Sequence, residues 1–141
     1  MATIKTTFTC VGTNVSSINS ISISPTAKSI TVNDPESVGV TDMAHSSTFD
    51  ILPIATNASG TWVYVENAMT SGTDKISILQ WVAGAEHTGA GGWIKTQALQ
   101  PGEFAWFNAA SAAETGTDAR GVRIDNSAGK TMTVKYARFS R

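Results

Sequence analysis

Apolar and polar residues alternate with a period of two along much of this chain. Ile21 and Ile23 share one face with Ser20 and Ser22 on the other, and Ile30 and Val32 stand in phase. A half-buried strand needs this alternation, because successive side chains point to opposite faces of a sheet. Residues 3–11 set Ile4, Phe8 and Val11 among threonines, a composition that favours strand over helix. Thr61–Asn67 reads Thr-Trp-Val-Tyr-Val-Glu-Asn, apolar on both faces, and predicts a central strand. Phe49–Ala55 predicts a strand with an edge or a bulge near Pro53. Lys75–Val82 carries Ile76 and Ile78, then changes phase to Leu79 and Trp81, which a β-bulge would produce.

Trp93–Leu99 and Phe104–Phe107 flank a Pro101-Gly102 corner. Proline fixes φ and glycine accepts φ > 0, so Gln100–Glu103 predicts a tight turn, with Phe104 and Trp106 filling a core behind it. Val122–Asp125 and Thr131–Phe139, joined through Asn126-Ser127-Ala128-Gly129, predict a closing hairpin with Met132, Val134 and Tyr136 in phase. Residues 36–47 show weak periodicity and predict a loop, as do the glycine-rich stretch 84–92 and the small-residue stretch 108–118. Many short strands without a long helical pattern predict an all-β, antiparallel β-sandwich. Its core is expected over residues 48–141, with residues 1–47 as an N-terminal β arm or extra hairpin packed on the same single domain. The turn chemistry recurs: Val65-Glu66-Asn67 and Ile124-Asp125-Asn126 each end a strand on an acid followed by asparagine.

Composition changes the picture in one respect. The 141 residues are 41% hydrophobic and only 15% charged, against about 25% charged for ordinary soluble domains. Threonine, serine, alanine, glycine and asparagine fill the gap, a surface suited to packing against neighbours. The net charge of −1 hides an asymmetry. Residues 1–118 hold four lysines against ten acids, and residues 119–141 hold six basic residues against Asp125. These basic residues alternate with core positions and form no run, so pairing within the fold or between subunits is the expectation, not nucleic acid. No stretch approaches the roughly 20 apolar residues of a membrane span. Cys10 is the single cysteine, which leaves no internal disulfide and no cysteine metal cluster.

Candidate chemistry is sparse. His45 and His87 lie in polar stretches without a nucleophile motif. Glu86-His87 offers two metal ligands and no third. Gly89–Gly92 lacks the Gly-Lys-Ser/Thr ending of a phosphate loop. No catalytic residue, cofactor or metal is expected. Trp62, Trp81, Trp93 and Trp106 lie in strands and are expected to pack in the core, with Trp93, beside the glycine stretch, the one expected to be exposed.

Three segments carry a family likeness: the Trp-led strand Trp62–Asn67, the corner Leu99-Gln100-Pro101-Gly102-Glu103-Phe104, and the closing Val134-Lys135-Tyr136-Ala137-Arg138-Phe139. Over residues 48–141 the chain resembles the small jelly-roll-like decoration or cement proteins of tailed bacteriophage particles, where Leu-x-Pro-Gly-Glu and a terminal Val-x-Tyr strand recur. The resemblance implies a jelly-roll-like fold and a non-enzymatic virion protein on the outer capsid surface. Its implied partners are the major capsid protein and copies of itself, a trimer being favoured, with no nucleic acid and no membrane. Candidate contacts are Ile4 and Phe8 of the arm and Arg120, Arg123, Lys135, Arg138 and Arg141 of the closing hairpin. The alternatives are a tail or head fibre, a receptor-binding component, or a carbohydrate-binding β-sandwich module using Trp93.

Overall fold

The computed structural model describes residues 2–6, 10–13, 20–23, 28–32, 35–55, 61–82, 92–109 and 120–140. Contacts divide the chain into two compact units, Met1–Asp34 and Pro35–Arg141. In the first, β1 (Ala2–Thr6), β2 (Cys10–Thr13), β3 (Ser20–Ile23) and β4 (Lys28–Val32) form nested antiparallel pairs, β2 with β3 and β1 with β4.

The second unit repeats the nesting on a larger scale. Its strands are β5 (Pro35–Met43), β6 (Ser47–Ala55), β7 (Thr61–Asn67), β8 (Ile76–Val82), β9 (Gly92–Leu99), β10 (Phe104–Asn108), β11 (Arg120–Asn126) and β12 (Met132–Ser140). The first pairs with the last, the second with the second-last, and so inward: β5 with β12, β6 with β11, β7 with β10, β8 with β9. Two further antiparallel pairings, β7 with β12 and β8 with β11, roll this long hairpin over itself. The result is two four-stranded sheets, β10-β7-β12-β5 and β6-β11-β8-β9. This strand order is a jelly roll, eight strands in two packed sheets.

The core lies between the sheets. Val63, Val65, Ile76, Ile78, Val122, Ile124, Met132 and Val134 are fully buried, each worth about 1.5–3 kcal/mol relative to exposure. Strand β7 is interior to its sheet, as its two apolar faces predict. The phase change expected in β8 is absent: β8 runs in unbroken register with β11 from Ser77 to Gln80, and the register shift opposite Ile78 and Leu79 belongs to β9, where Thr96 is the extra residue, so Leu79 and Trp81 stand on the outer face. Strand β6 is both an edge and irregular opposite Arg120–Arg123. The Pro101-Gly102 corner closes with Glu103 N–H donating to Gln100 O at 3.0 Å, and Gly102 has φ 79°, a conformation that disfavours a β-carbon.

Further expectations are corrected. Val122–Asp125 and Thr131–Phe139 do not form a hairpin: β11 lies between β6 and β8 in one sheet and β12 between β7 and β5 in the other, so the Asn126–Gly129 turn crosses from sheet to sheet. Residues 36–47 are not a loop: Pro35–Met43 is an edge strand of the first sheet, and the compact unit containing the sandwich begins at Pro35, not at residue 48. Its pattern is inverted, which hid it. Val38 and Val40 face outward, 65% and 64% exposed, while Gly39 faces Tyr136. A β-carbon on Gly39 would lie 2.8 Å from the Tyr136 hydroxyl, so an ordinary inward apolar residue has no room there. Phe104 and Trp106 do not fill the core; Ala105 and Phe107 of the same strand face inward instead. The tryptophans are likewise not buried in the core; all four are half-buried. The stretches 83–91 and 110–119, which hold most of the two remaining expected loops, lie outside the described residues.

Candidate binding face

The outer face of β10-β7-β12-β5 carries three cross-strand rows. The middle row runs Trp106, Tyr64, Ala137, Val38 across all four strands. On one side lies Phe104, Glu66, Lys135, Val40, and on the other Asn108, Trp62, Phe139. The alternating burial of β7 sets this up: Thr61, Val63, Val65 and Asn67 point inward, which sends Trp62, Tyr64 and Glu66 outward. Neighbouring rings contact one another. Trp62 and Trp106 stack at 5.7 Å between centroids, Trp106 and Phe139 lie at 5.8 Å, and Tyr64 and Phe104 at 6.0 Å. Cross-strand aromatic pairs of this kind stabilise a sheet. They also roof Ala137, which is buried although it faces outward. Phe104 remains 56% exposed. The Trp62 indole N–H is buried and has no hydrogen-bond partner among the described residues.

The only ion pair described on this face is closed internally. Lys135 Nζ donates to Glu66 Oε1 at 2.9 Å, and the Tyr64 hydroxyl donates to Glu66 Oε2 at 2.5 Å. These two hydrogen bonds hold the Glu66 carboxyl below its ordinary value. Tyr64 is pushed up to about 12, first by burial and then by its bond to the Glu66 carboxylate. At the upper edge the Thr133 hydroxyl donates to Asp42 at 2.6 Å.

The outer face of the other sheet is clad differently. Trp81 and Trp93 meet edge-on at 5.5 Å, and the Arg123 guanidinium lies 4.3 Å from the Trp93 ring centroid. Arg123 donates from Nε and Nη2 to the two carboxylate oxygens of Asp50, a bidentate pair. A β-carbon on Gly121 would lie 2.9 Å from the Trp93 ring, so this glycine is the seat on which Trp93 rests.

Two buried asparagines tie the connections at one end of the sandwich. Asn67 Nδ2 donates to Leu99 O at 3.0 Å, and its Oδ1 accepts from Met69 N–H. Asn126 Nδ2 contacts Met43 O and Ala44 O at 2.9 Å and Lys130 O at 3.0 Å, while its Oδ1 accepts from Ala128 N–H. The two corners are equivalent. Each asparagine ends a strand, forms an Asx turn two residues on, and grips the end of a strand in the opposite sheet. The repeated acid-Asn signal in the sequence marked the turns but not their buried role.

The residues singled out in the sequence fall as follows. Arg123 pairs with Asp50, Lys135 with Glu66, and Lys130 with Asp74, so three bases of β11, β12 and the turn between them are paired with acids from earlier in the chain. Arg138 Nη1 donates to Ile51 O at 3.1 Å, pinning β12 to the facing sheet. Arg120 stands opposite Ala55 and Ile4 opposite Ile30. Phe8, His87 and Arg141 lie outside the described residues. Trp93 is half-buried beneath Arg123, not freely exposed. His45 is exposed and contacts only the Ser46 hydroxyl among the described partners. Among the described residues no group of three His, Cys, Asp or Glu is placed to hold a metal ion, and no helix is long and apolar enough to cross a membrane. Sequence reasoning missed the aromatic face itself. Its signal was the run of large residues at Trp62, Tyr64, Phe104, Trp106 and Phe139, which reads equally well as core.

Comparison with known protein families, curated proteins and solved structures gives no match to this chain.

Proposed function

We propose that this chain is a non-enzymatic structural protein of a virus particle, a decoration or cement protein that sits on the outer capsid surface and bridges neighbouring major capsid subunits. The observation that carries the reading is the apolar outer face of β10-β7-β12-β5. Phe104, Val38 and Val40 present large apolar surface to solvent beside half-buried Trp62, Tyr64, Trp106 and Phe139. A contiguous apolar patch on a rigid sheet marks an interaction surface. The jelly-roll strand order and the resemblance of Leu99–Phe104 and Val134–Phe139 to phage virion proteins support the same reading. Cementing then works by many weak contacts made at once around symmetric sites. Quantitative mass spectrometry of purified particles tests it. Hundreds of copies per particle are expected. A handful would move the chain to a tail or fibre, and absence from particles would refute the proposal.

A second reading is favoured by the same rings. A carbohydrate-binding sandwich would use the Trp62, Trp106 and Tyr64 surface for stacking. Its test is quenching of tryptophan fluorescence by oligosaccharides.

A further inference from the structure

We infer that the outer face of the β10-β7-β12-β5 sheet is buried against the same face of a second copy of this chain. The inference deepens the proposed function by naming one partner of that face. It also stands without a capsid, because it concerns the chain alone in solution.

Area is the first argument. Val38, Val40 and Phe104 are the most exposed large apolar residues of this sheet, and all three lie on this one face. With the partly exposed rings of Trp62, Tyr64, Trp106 and Phe139, the face offers roughly 400–600 Å² of apolar surface, given about 150–250 Å² for a whole aromatic side chain. A standard interface takes about 800 Å² from each partner, of which a little over half is apolar. The face therefore supplies what one partner of a stable pair contributes.

Charge is the second argument, and it selects the partner. At the middle of the face Lys135 is paired with Glu66, while Asp42, which accepts from Thr133, keeps its charge on the edge strand β5. A strongly basic or acidic partner gains little from a face whose only described charge away from the edge strand is a closed Lys135–Glu66 pair. An identical face meets it without like-charge repulsion at the centre, where the middle row Trp106, Tyr64, Ala137, Val38 holds no charged group. Geometry agrees. The rows lie on a four-stranded sheet, and two sheets stack face to face with their strands about 30° apart. A face meeting its own copy is the isologous contact of a two-fold dimer, the commonest symmetric assembly.

The experiment is sedimentation equilibrium of the full chain across a concentration series, with Val40→Lys and Phe104→Lys singly and together. Both sites are exposed in the single chain, so the variants are expected to fold, which near-ultraviolet circular dichroism checks, while their thermal midpoint falls only as far as the lost association requires. The expected result is a wild-type mass twice that of the chain. The double variant should raise the dimer dissociation constant roughly 10–100-fold, since each lysine places an unpaired charge in an apolar interface. A wild-type monomer at 100 times the working concentration overturns the inference. So does an oligomer whose mass is unaffected by both lysines, or a monomer whose tryptophans are quenched by an oligosaccharide, which would give the face to a glycan. Failure here leaves the copy number on particles free to support or refute the virion reading separately.

Discussion

Replacing Asn126 by alanine removes a group that bonds four backbone atoms at once. Its amide nitrogen contacts the carbonyls of Met43, Ala44 and Lys130, and its oxygen accepts from Ala128 N–H. The side chain is fully buried, so water does not take its place without opening the corner. Ala44 and Lys130 are exposed residues whose carbonyls can rehydrate, whereas Met43 is 3% exposed. A buried group left unsatisfied costs about 1–3 kcal/mol, and the vacated volume adds to this, so the expected loss is about 3–4 kcal/mol. For a domain of this size that lowers the thermal midpoint by about 10–15 °C. Asn126→Asp sharpens the test. It is isosteric and keeps the acceptor for Ala128, but it turns a donor into an acceptor facing three carbonyl oxygens. The aspartate variant is therefore expected to be less stable than the alanine variant at neutral pH. Urea unfolding followed by tryptophan fluorescence, with the denaturant slope unchanged, measures both. An aspartate variant as stable as wild type, or an alanine loss under about 1 kcal/mol, would refute the claim that this amide ties the sheets together.

Other outcomes follow from the same geometry. Gly39→Ala is expected to cost about 1–3 kcal/mol by pressing on the Tyr136 ring, which also packs 4.8 Å from Phe49; the penalty should shrink in a Tyr136→Leu background, and a strictly additive double mutant would contradict the contact. Arg123→Met removes both the bidentate pair with Asp50 and the cation over Trp93, an expected loss of about 1–2 kcal/mol by thermal unfolding, with a change in tryptophan emission. The Tyr64–Glu66–Lys135 cluster sets a pH window for stability. Glu66 is held low in the folded chain, so its contribution is complete above the unfolded carboxylate value and is lost as pH falls through the lowered one. Tyr64 is raised to about 12, so its contribution is complete below the unfolded value of about 10 and is lost as pH rises towards 12. Tyr64→Phe should flatten the alkaline limb relative to wild type, and an unchanged limb would show that the hydroxyl is not the group responsible.

Much of the fold was legible because local pattern and tertiary role agreed. The strands β7, β8, β11 and β12, the irregular edge near Pro53 and the Gln100–Glu103 turn all follow from periodicity and from proline and glycine chemistry. The intramolecular pairing of the basic residues on β11 and β12 was legible too, since alternating bases opposite acid-bearing strands have partners at hand; that the two strands part into different sheets was not. Strand β5 was not legible, because its valines face solvent and its inward positions before Met43 are small or polar, the reverse of what periodicity assumes.

The sequence by itself determined that this chain makes short antiparallel strands with defined turns and too few chemical groups to spell out a known motif. It could not say which side of each strand faces the core, because β7 and β10 are apolar on both sides and a shift of one residue would exchange Val63 and Val65 for Trp62 and Tyr64. Only the tertiary structure decided that. The nested pairing fixes one register, the two buried asparagines lock the corners that join the sheets, and the small inward residues pack between them. The same choice leaves Trp62, Tyr64, Phe104, Trp106 and Phe139 on the outer face and turns Phe107 and Tyr136 toward the core.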